Sequence, residues 1–596
     1  MSINSTKQDE EHKDTSKLRV IFRLFKYMLQ YKKQIIVVVS CMLLNIAIAA
    51  INPLLINHAI DEEIAGKDIK GLIIVVGISL TICTIYMFLD RFWMKKMAKI
   101  SNNVLMTIRD ELYTHIQTLS FSFFDTRPTG KIIARVIGDV NSLKDVIQST
   151  VTQLLPDMLM LIVVFVIMII KSPWLTLSAV AALPVMLGGM YVAQILAHKK
   201  WMVYRNKSSN IAAYVHENFS GMGVVQSFTA EEESREEFSK VVDEHRKSFV
   251  DAVIFADMFS PTIEISWGIG TFLLYYIGIK KLGMGAESIG TYTAFAIYLS
   301  MFWGPIRNLA SFYNKLVTNI SAAQRVFDIM DTEAEVTDKA DAYELPDITG
   351  KVEFEGVSFA YPDDPDTCVL KDVNFTINPG ETIALVGPTG AGKTTIVNLV
   401  SRFYNATEGK VQVDGHDLME VTLNSLRKQM GVMTQENFLF SGTIKENIRY
   451  GRLDATDEEV ITAAKAVCAH DFIMELENGY DTQISERGAR LSIGQRQLLA
   501  FARTMVSDPR ILILDEATSS IDTHTEILVQ QGIESLLKGR TSFVIAHRLS
   551  TIKNADKIFV IDNGGIFEAG NHEELMAKKG AYYELYEAQF KAVKST

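Results

Sequence analysis

Two short stretches carry residue types and spacings suited to phosphate chemistry. The first is Gly387-Pro388-Thr389-Gly390-Ala391-Gly392-Lys393-Thr394-Thr395. Gly387 and Gly392 let backbone N–H groups wrap phosphates, Lys393 reaches the terminal ones, and Thr394 offers a hydroxyl to Mg²⁺. Thr389, Gly390 and Thr395 complete this expected cofactor-binding loop. The second is Ile511-Leu512-Ile513-Leu514-Asp515-Glu516. Its four apolar residues suit a buried strand, and a carboxylate at the strand end can hold Mg²⁺ through its water shell. The neighbouring Glu516 is a candidate to polarise an attacking water.

Each stretch sits where its chemistry needs it. Residues 383–386 are an apolar run that reads as a buried strand, and residues 396–400 read as the first turns of a helix. A helix start at the loop adds unpaired N–H groups and partial positive charge. Ahead of the second stretch, Leu491-Ser492-Ile493-Gly494-Gln495 leads into a helix over residues 496–506. Ser492 and Gln495 have capping-box spacing, which an ordinary helix start satisfies. The same exposed, Gly-containing N-terminus can also bind a phosphate, and spacing alone leaves both roles open. From Lys351 onward, β-rich runs and Gly/Asp turns alternate with helical segments, predicting an α/β domain over residues 351–596.

The chain is too long, at 596 residues, for one ordinary domain. Its 48% hydrophobic and 22% charged residues average an apolar first half with a polar second half. The net charge of −11 argues against nucleic acid as a partner. Cys41, Cys83, Cys368 and Cys468 match no disulfide or metal-ligand spacing. Residues 1–16 are polar, lack a signal-peptide core and are expected to be a disordered tail. Arg19, Arg23, Lys26 and Gln30 then form one polar stripe on an otherwise apolar helix, as suits a membrane interface.

Six apolar stretches follow, near residues 35–56, 72–89, 154–170, 175–196, 252–279 and 289–312. Each approaches the length needed to cross about 30 Å of hydrocarbon at about 1.5 Å per residue. Lys and Arg crowd the links after the second and fourth stretches, while the first link is acidic, so both termini are expected to be cytoplasmic. The two long links keep helical periodicity and read as membrane helices extended into the cytoplasm, with turns at residues 124–130 and 220–223. Asp157, Asp257 and Glu264 interrupt the apolar stretches and are functional candidates because membrane charges are costly. Residues 331–350 read as an acidic linker. The predicted fold class is therefore multidomain: an all-α six-helix transmembrane domain over residues 17–330, followed by an α/β P-loop ATPase domain.

The order of phosphate loop, Gln435, Leu-Ser-Ile-Gly-Gln, Ile-Leu-Ile-Leu-Asp-Glu, Ser520-Ile521-Asp522 and His547 resembles the nucleotide-binding domain of ABC transporters. With the apolar half placed first, the chain resembles an exporter-type half-transporter over nearly its whole length. The resemblance implies ATP and Mg²⁺ as cofactors. It implies that Tyr361 stacks on adenine, that Gln435 senses Mg²⁺ and the attacking water, and that Asp515 holds Mg²⁺. Glu516 would be the general base, with His547 on the γ-phosphate and Lys393 in the same catalytic set. Ser492, Gly494 and Gln495 would close on ATP held by a facing subunit, and Asp522 would couple the two sites. Residues 485–488, 124–130 and 221–228 match the family's transmission segments. Ile493 departs from the usual Gly, which leaves a heterodimer with one weakened site open.

The function so implied is ATP-hydrolysing export of amphipathic or hydrophobic, multidrug-type compounds by alternating access. A lipid or peptide exporter or flippase is the alternative, ahead of an ATP-gated channel. The implied partners are a second half-transporter, identical or different, membrane lipid, and a hydrophobic or cationic small molecule. The implied location is a bacterial cell membrane.

Overall fold

The computed structural model describes residues 17–283, 289–434, 437–485, 488, 490–515, 523–546 and 549–590. The expected disordered tail falls outside them. The chain forms two compact units, one holding His115–Lys131 and the described chain from Thr332, the other holding residues 17–114 and Ile132–Asp331.

The helical unit begins with Lys17–Leu29, whose Val20, Leu24 and Met28 are buried while Phe22 is 73% exposed. Arg23 on this helix donates twice to the Asp331 carboxylate, at 2.8 and 2.7 Å, and lies 4.3 Å over the Phe327 ring. Among the described residues four helical segments are long and apolar enough to cross a membrane: Lys32–Ile64, Ile69–Thr118, Thr129–Lys171 and Glu231–Lys280. The stretch expected as the fourth span is split into Pro173–Ala181 and Leu183–Ser220. Pro184 lacks the N–H that would continue the helical ladder, which explains the break at Ala182. The stretch expected as the sixth lies in one long helix, Ile289–Met330.

Val164, Met168, Met186, Leu274, Phe295, Leu299 and Trp303 form an apolar core among these helices. Small residues let backbones approach: a Cβ on Gly189 would sit 2.5 Å from Thr262 Cγ2. At the start of Ile289–Met330, Asp61 accepts from the backbone N–H groups of Gly290 and Thr291 at 2.7 and 3.1 Å, and from Asn57 at 2.7 Å. A helix start has no intrahelical partners for its first N–H groups, so Asp61 acts as a cap supplied from another element. Asp61→Ala is expected to cost about 1–2 kcal/mol, read as a lower thermal unfolding midpoint, with Asp61→Asn recovering most of it.

In the other unit, six strands lie in the order Gly565–Gly570, Lys557–Asp562, Thr382–Val386, Thr541–Ile545, Ile511–Asp515 and Met430–Met433. The first pair is antiparallel and the remaining pairs are parallel. Strand side chains alternate between faces, and the core divides accordingly. Ile383, Leu385, Ile511, Ile513, Phe543 and Ile545 pack with Ile396 and Val400 of the helix Lys393–Val400. Ala384, Val386, Leu512, Leu514 and Val544 pack with Leu498, Leu499 and Phe501 of the helix Ile493–Ser507. The sheet thus holds the phosphate-loop helix on one face and the Leu-Ser-Ile-Gly-Gln helix on the other.

A second, four-stranded antiparallel sheet runs in the order Cys368–Ile377, Val352–Ala360, Glu408–Val413, His416–Asp417. The stretch expected as a linker is held against this unit after Thr332. Leu345 and Ile348 are buried, Tyr343 pairs with Val421, and Arg402, 1% exposed, donates to the carbonyls of Thr337 and Val421 at 3.0 and 2.6 Å.

Candidate functional site

The loop leaves the buried strand Thr382–Val386 and enters the helix Lys393–Val400. Gly387, Gly390 and Gly392 adopt φ values of 148°, 85° and 107°, the region that turns successive N–H groups toward one concavity. A Cβ on Gly387 would lie 2.2 Å from the Ile561 carbonyl oxygen, whereas one on Gly390 would meet nothing within 4 Å. Gly387→Ala is therefore expected to cost more than about 2 kcal/mol and Gly390→Ala about 1 kcal/mol, compared by thermal unfolding.

Lys393 Nζ donates to the carbonyl oxygens of Gly387 and Pro388, at 2.9 and 2.8 Å. Burial holds its ammonium below the ordinary lysine range, and the Asp515 carboxylate works in the opposite direction. Asp515 ends its strand level with Ile545, which is itself level with Leu385 one strand further on. Asp515 and the phosphate loop thus meet at the carboxyl ends of parallel strands, where open α/β sheets bind ligands.

Thr394 and Thr389 are exposed, while Thr395 is 3% exposed. The Thr395 hydroxyl shares a hydrogen bond of 2.9 Å with the Tyr361 phenol. Tyr361 stands edge-on to Phe359 and Tyr404, with ring centroids 4.9 and 5.3 Å away. Burial raises its phenol above the ordinary tyrosine value, so it stays neutral.

Tyr404 went unremarked in the sequence, since no spacing rule marks it. Its hydroxyl donates to Asp125 at 2.8 Å, and burial together with that carboxylate pushes its own ionisation far up. Asp125 ends the helix Phe121–Asp125, part of the expected first turn. Phe121 stacks on Phe403 with centroids 5.0 Å apart, and Ser122 donates to Glu335 at 2.6 Å. The expected first turn is thus fixed beside Tyr404, against which Tyr361 packs.

Ser492 caps the helix Ile493–Ser507 in a full capping box: its hydroxyl accepts from Gln495 N–H at 3.1 Å, and Gln495 Oε1 accepts from Ser492 N–H at 2.9 Å. Ser492 is exposed, Gly494 is buried and Ile493 is 44% exposed, so the departure from Gly lies at the surface. Gln435, Glu516, Asp522 and His547 lie outside the described residues, as do Glu486 and Arg487 of the 485–488 segment.

A glycine-lined phosphate loop with its lysine, a carboxylate at the neighbouring strand end and long apolar helices together define a membrane-bound P-loop ATPase. Residues 35–306 match the ABC transporter transmembrane region family, and residues 370–519 match the ABC transporter family. The chain is 40% identical to an ABC transporter ATP-binding protein, YknV, of Bacillus subtilis strain 168, over 96% of this chain and 94% of that one. It is 37% identical to an ATP-dependent lipid A-core flippase of Syntrophus aciditrophicus (96% and 95% covered). It is also 37% identical to a putative multidrug export ATP-binding/permease protein of Staphylococcus aureus NCTC 8325 (96% and 100% covered). A bacterial Atm1-family ABC exporter solved with ATP bound superposes with a TM-score of 0.77 and 26% identity, over 94% of this chain and 98% of that one. The chain belongs to the ABC transporter family: it is an ABC exporter, with membrane and ATPase regions fused and its ATPase coupled to transport.

Proposed function

We propose that this exporter is a half-transporter that dimerises and moves amphipathic or hydrophobic compounds, multidrug or lipid, out of the cytoplasm or inner leaflet. The observation that carries the proposal is a phosphate loop with ligand-ready geometry in the same chain as long, outwardly apolar helices. The names of the relatives, a multidrug exporter and a lipid A-core flippase, supply the substrate classes. In this account all six helical stretches span a bacterial cell membrane and both termini face the cytoplasm.

A dimer has its own support. The second expected transmission segment, around the short helix Met222–Ser227, leaves Phe219, Val224 and Phe228 exposed at 71%, 63% and 77%. The capped Ser492 helix start is likewise open to solvent and suits a facing subunit's ATP. Intact-complex mass measurement is expected to give two copies of the 66.7 kDa chain. One copy beside a different subunit would instead make Ile493 part of an unequal pair of sites.

The residues fit Mg²⁺–ATP. Among the described residues no three His, Cys, Asp or Glu side chains cluster as a metal site. Mg²⁺ would therefore draw on Thr394, the nucleotide's own phosphates and a water shell held by Asp515 and Gln435, as this ion prefers. Bound there, it would neutralise phosphate charge. Tyr361 would stack on adenine, the loop N–H groups and Lys393 would hold the phosphates, and His547 would contact the γ-phosphate. Glu516 would take a proton from water as the water oxygen bonds to the γ-phosphorus and the bond to ADP breaks.

The Tyr361–Tyr404–Asp125 contact suggests how the site reaches the transmission segment. Tyr404→Phe is expected to keep ATP affinity within about twofold and lower substrate-stimulated hydrolysis several-fold, since it removes one charge-assisted hydrogen bond of about 1.5–3 kcal/mol. Stimulation curves in proteoliposomes measure both. ATPase activity that no membrane-active compound stimulates, with no vesicle uptake, would sink the exporter proposal.

A further inference from the structure

The helical unit contains a cavity of about 580 Å³ whose walls are polar, unlike the apolar core described above. One wall is Asp145, Gln148, Thr152 and Gln153, and the other is Lys315 and Asn319 from the helix Ile289–Met330. The first wall is an amphipathic helix face. Val140, Leu143, Val146 and Ile147 point into the protein and are buried, leaving residues 145, 148 and 152 on the opposite side at helical spacing. The wall then passes into a π-helical turn, Thr150–Leu154, an irregularity that is frequent at functional sites.

Polar side chains beside a membrane-entering helix face either protein or a wet cavity. Here they face a cavity of the size that takes a small molecule. Among the described residues the side chains of Asp145 and Lys315 have no ion-pair or hydrogen-bond partner, so the cavity offers one carboxylate and one ammonium. The exporter proposal, whose substrates are amphipathic or hydrophobic, supplies the remaining feature of the ligand, a hydrocarbon body.

We infer that this cavity is the entry site for a zwitterionic amphiphile, its ammonium facing Asp145 and its anionic group facing Lys315. The inference rests on the exporter proposal and narrows its substrate to compounds carrying both charges. Neither a purely cationic nor a purely anionic amphiphile satisfies both walls.

The test uses the full-length protein in phosphatidylglycerol proteoliposomes, whose lipid carries no ammonium, and reads the half-maximal concentration for ATP-driven uptake of three probes of one chain length. These are dodecylamine, dodecanoate and 2-aminododecanoate. The zwitterion is expected to act at a concentration at least tenfold below either singly charged probe. Asp145→Asn should abolish its advantage over dodecanoate, Lys315→Gln its advantage over dodecylamine, and Asp145→Lys combined with Lys315→Asp should restore both. Phosphatidylethanolamine added to the vesicles is a second arm with the same charges on a lipid headgroup. Transport of that lipid alone assigns the site to a headgroup, and transport of 2-aminododecanoate alone assigns it to a soluble amphiphile. Equal half-maximal concentrations, or a preference unmoved by every variant, would overturn the inference while leaving an exporter. Uptake of none of these compounds also overturns it, and ATP-driven uptake of an apolar dye then decides whether the exporter proposal stands.

Discussion

Glu516→Gln is expected to bind ATP as the unaltered protein does and to hydrolyse it at least about 100-fold more slowly. The amide keeps the size and most hydrogen bonding of the carboxylate but cannot accept the water's proton. Phosphoryl transfer otherwise relies on positioning and charge neutralisation, which the glycine loop, Lys393 and Asp515 retain. Nucleotide-binding titrations and steady-state hydrolysis on the same preparation measure the two quantities separately. Turnover within a few-fold of normal would remove Glu516 from the role of general base.

Lys393→Ala is expected to act on the other quantity, weakening nucleotide binding by roughly two to three orders of magnitude. Losing one partner of a desolvated, hydrogen-bonded charge pair costs about 2–5 kcal/mol, and each 1.4 kcal/mol is about tenfold. Lys393 is held over the loop by the Gly387 and Pro388 carbonyls and is kept from full hydration by burial. Its ammonium is therefore pre-positioned at low cost. A dissociation constant unchanged in Lys393→Ala would show that backbone N–H groups alone hold the phosphates.

The phosphate loop was legible because every constraint on it is local. An apolar run of strand length, glycines at fixed offsets and a helix-forming run follow one another within residues 382–400, and the structure has them as strand, left-handed glycines and helix. The Ser492–Gln495 capping box was legible for the same reason and forms in full. Spacing could not tell a plain cap from a phosphate contact, because one geometry serves both.

What was less legible depends on partners far away in sequence. Nothing local marks Tyr404, whose hydroxyl donates to Asp125, 279 residues earlier. The acidic composition of residues 331–350 suggested a linker and gave no sign of its packing. Yet Leu345 and Ile348 complete an apolar core whose other members lie beyond residue 350. Hydropathy merged residues 175–196 into one span because Pro184 is apolar, although its missing N–H interrupts the helix at Ala182. The π-helical turns at Ala59–Ile64, Arg135–Asp139 and Thr150–Leu154 carry no sequence periodicity of their own.

The most direct test of the central claim is uphill uptake in sealed inside-out vesicles containing the full-length protein, with the same vesicles carrying Glu516→Gln as the comparison. The account predicts that ATP drives an amphipathic compound to a higher concentration inside than outside, and that Glu516→Gln abolishes this accumulation while still binding ATP. Equilibration without accumulation, or accumulation that persists in Glu516→Gln, would contradict an ATP-hydrolysing exporter.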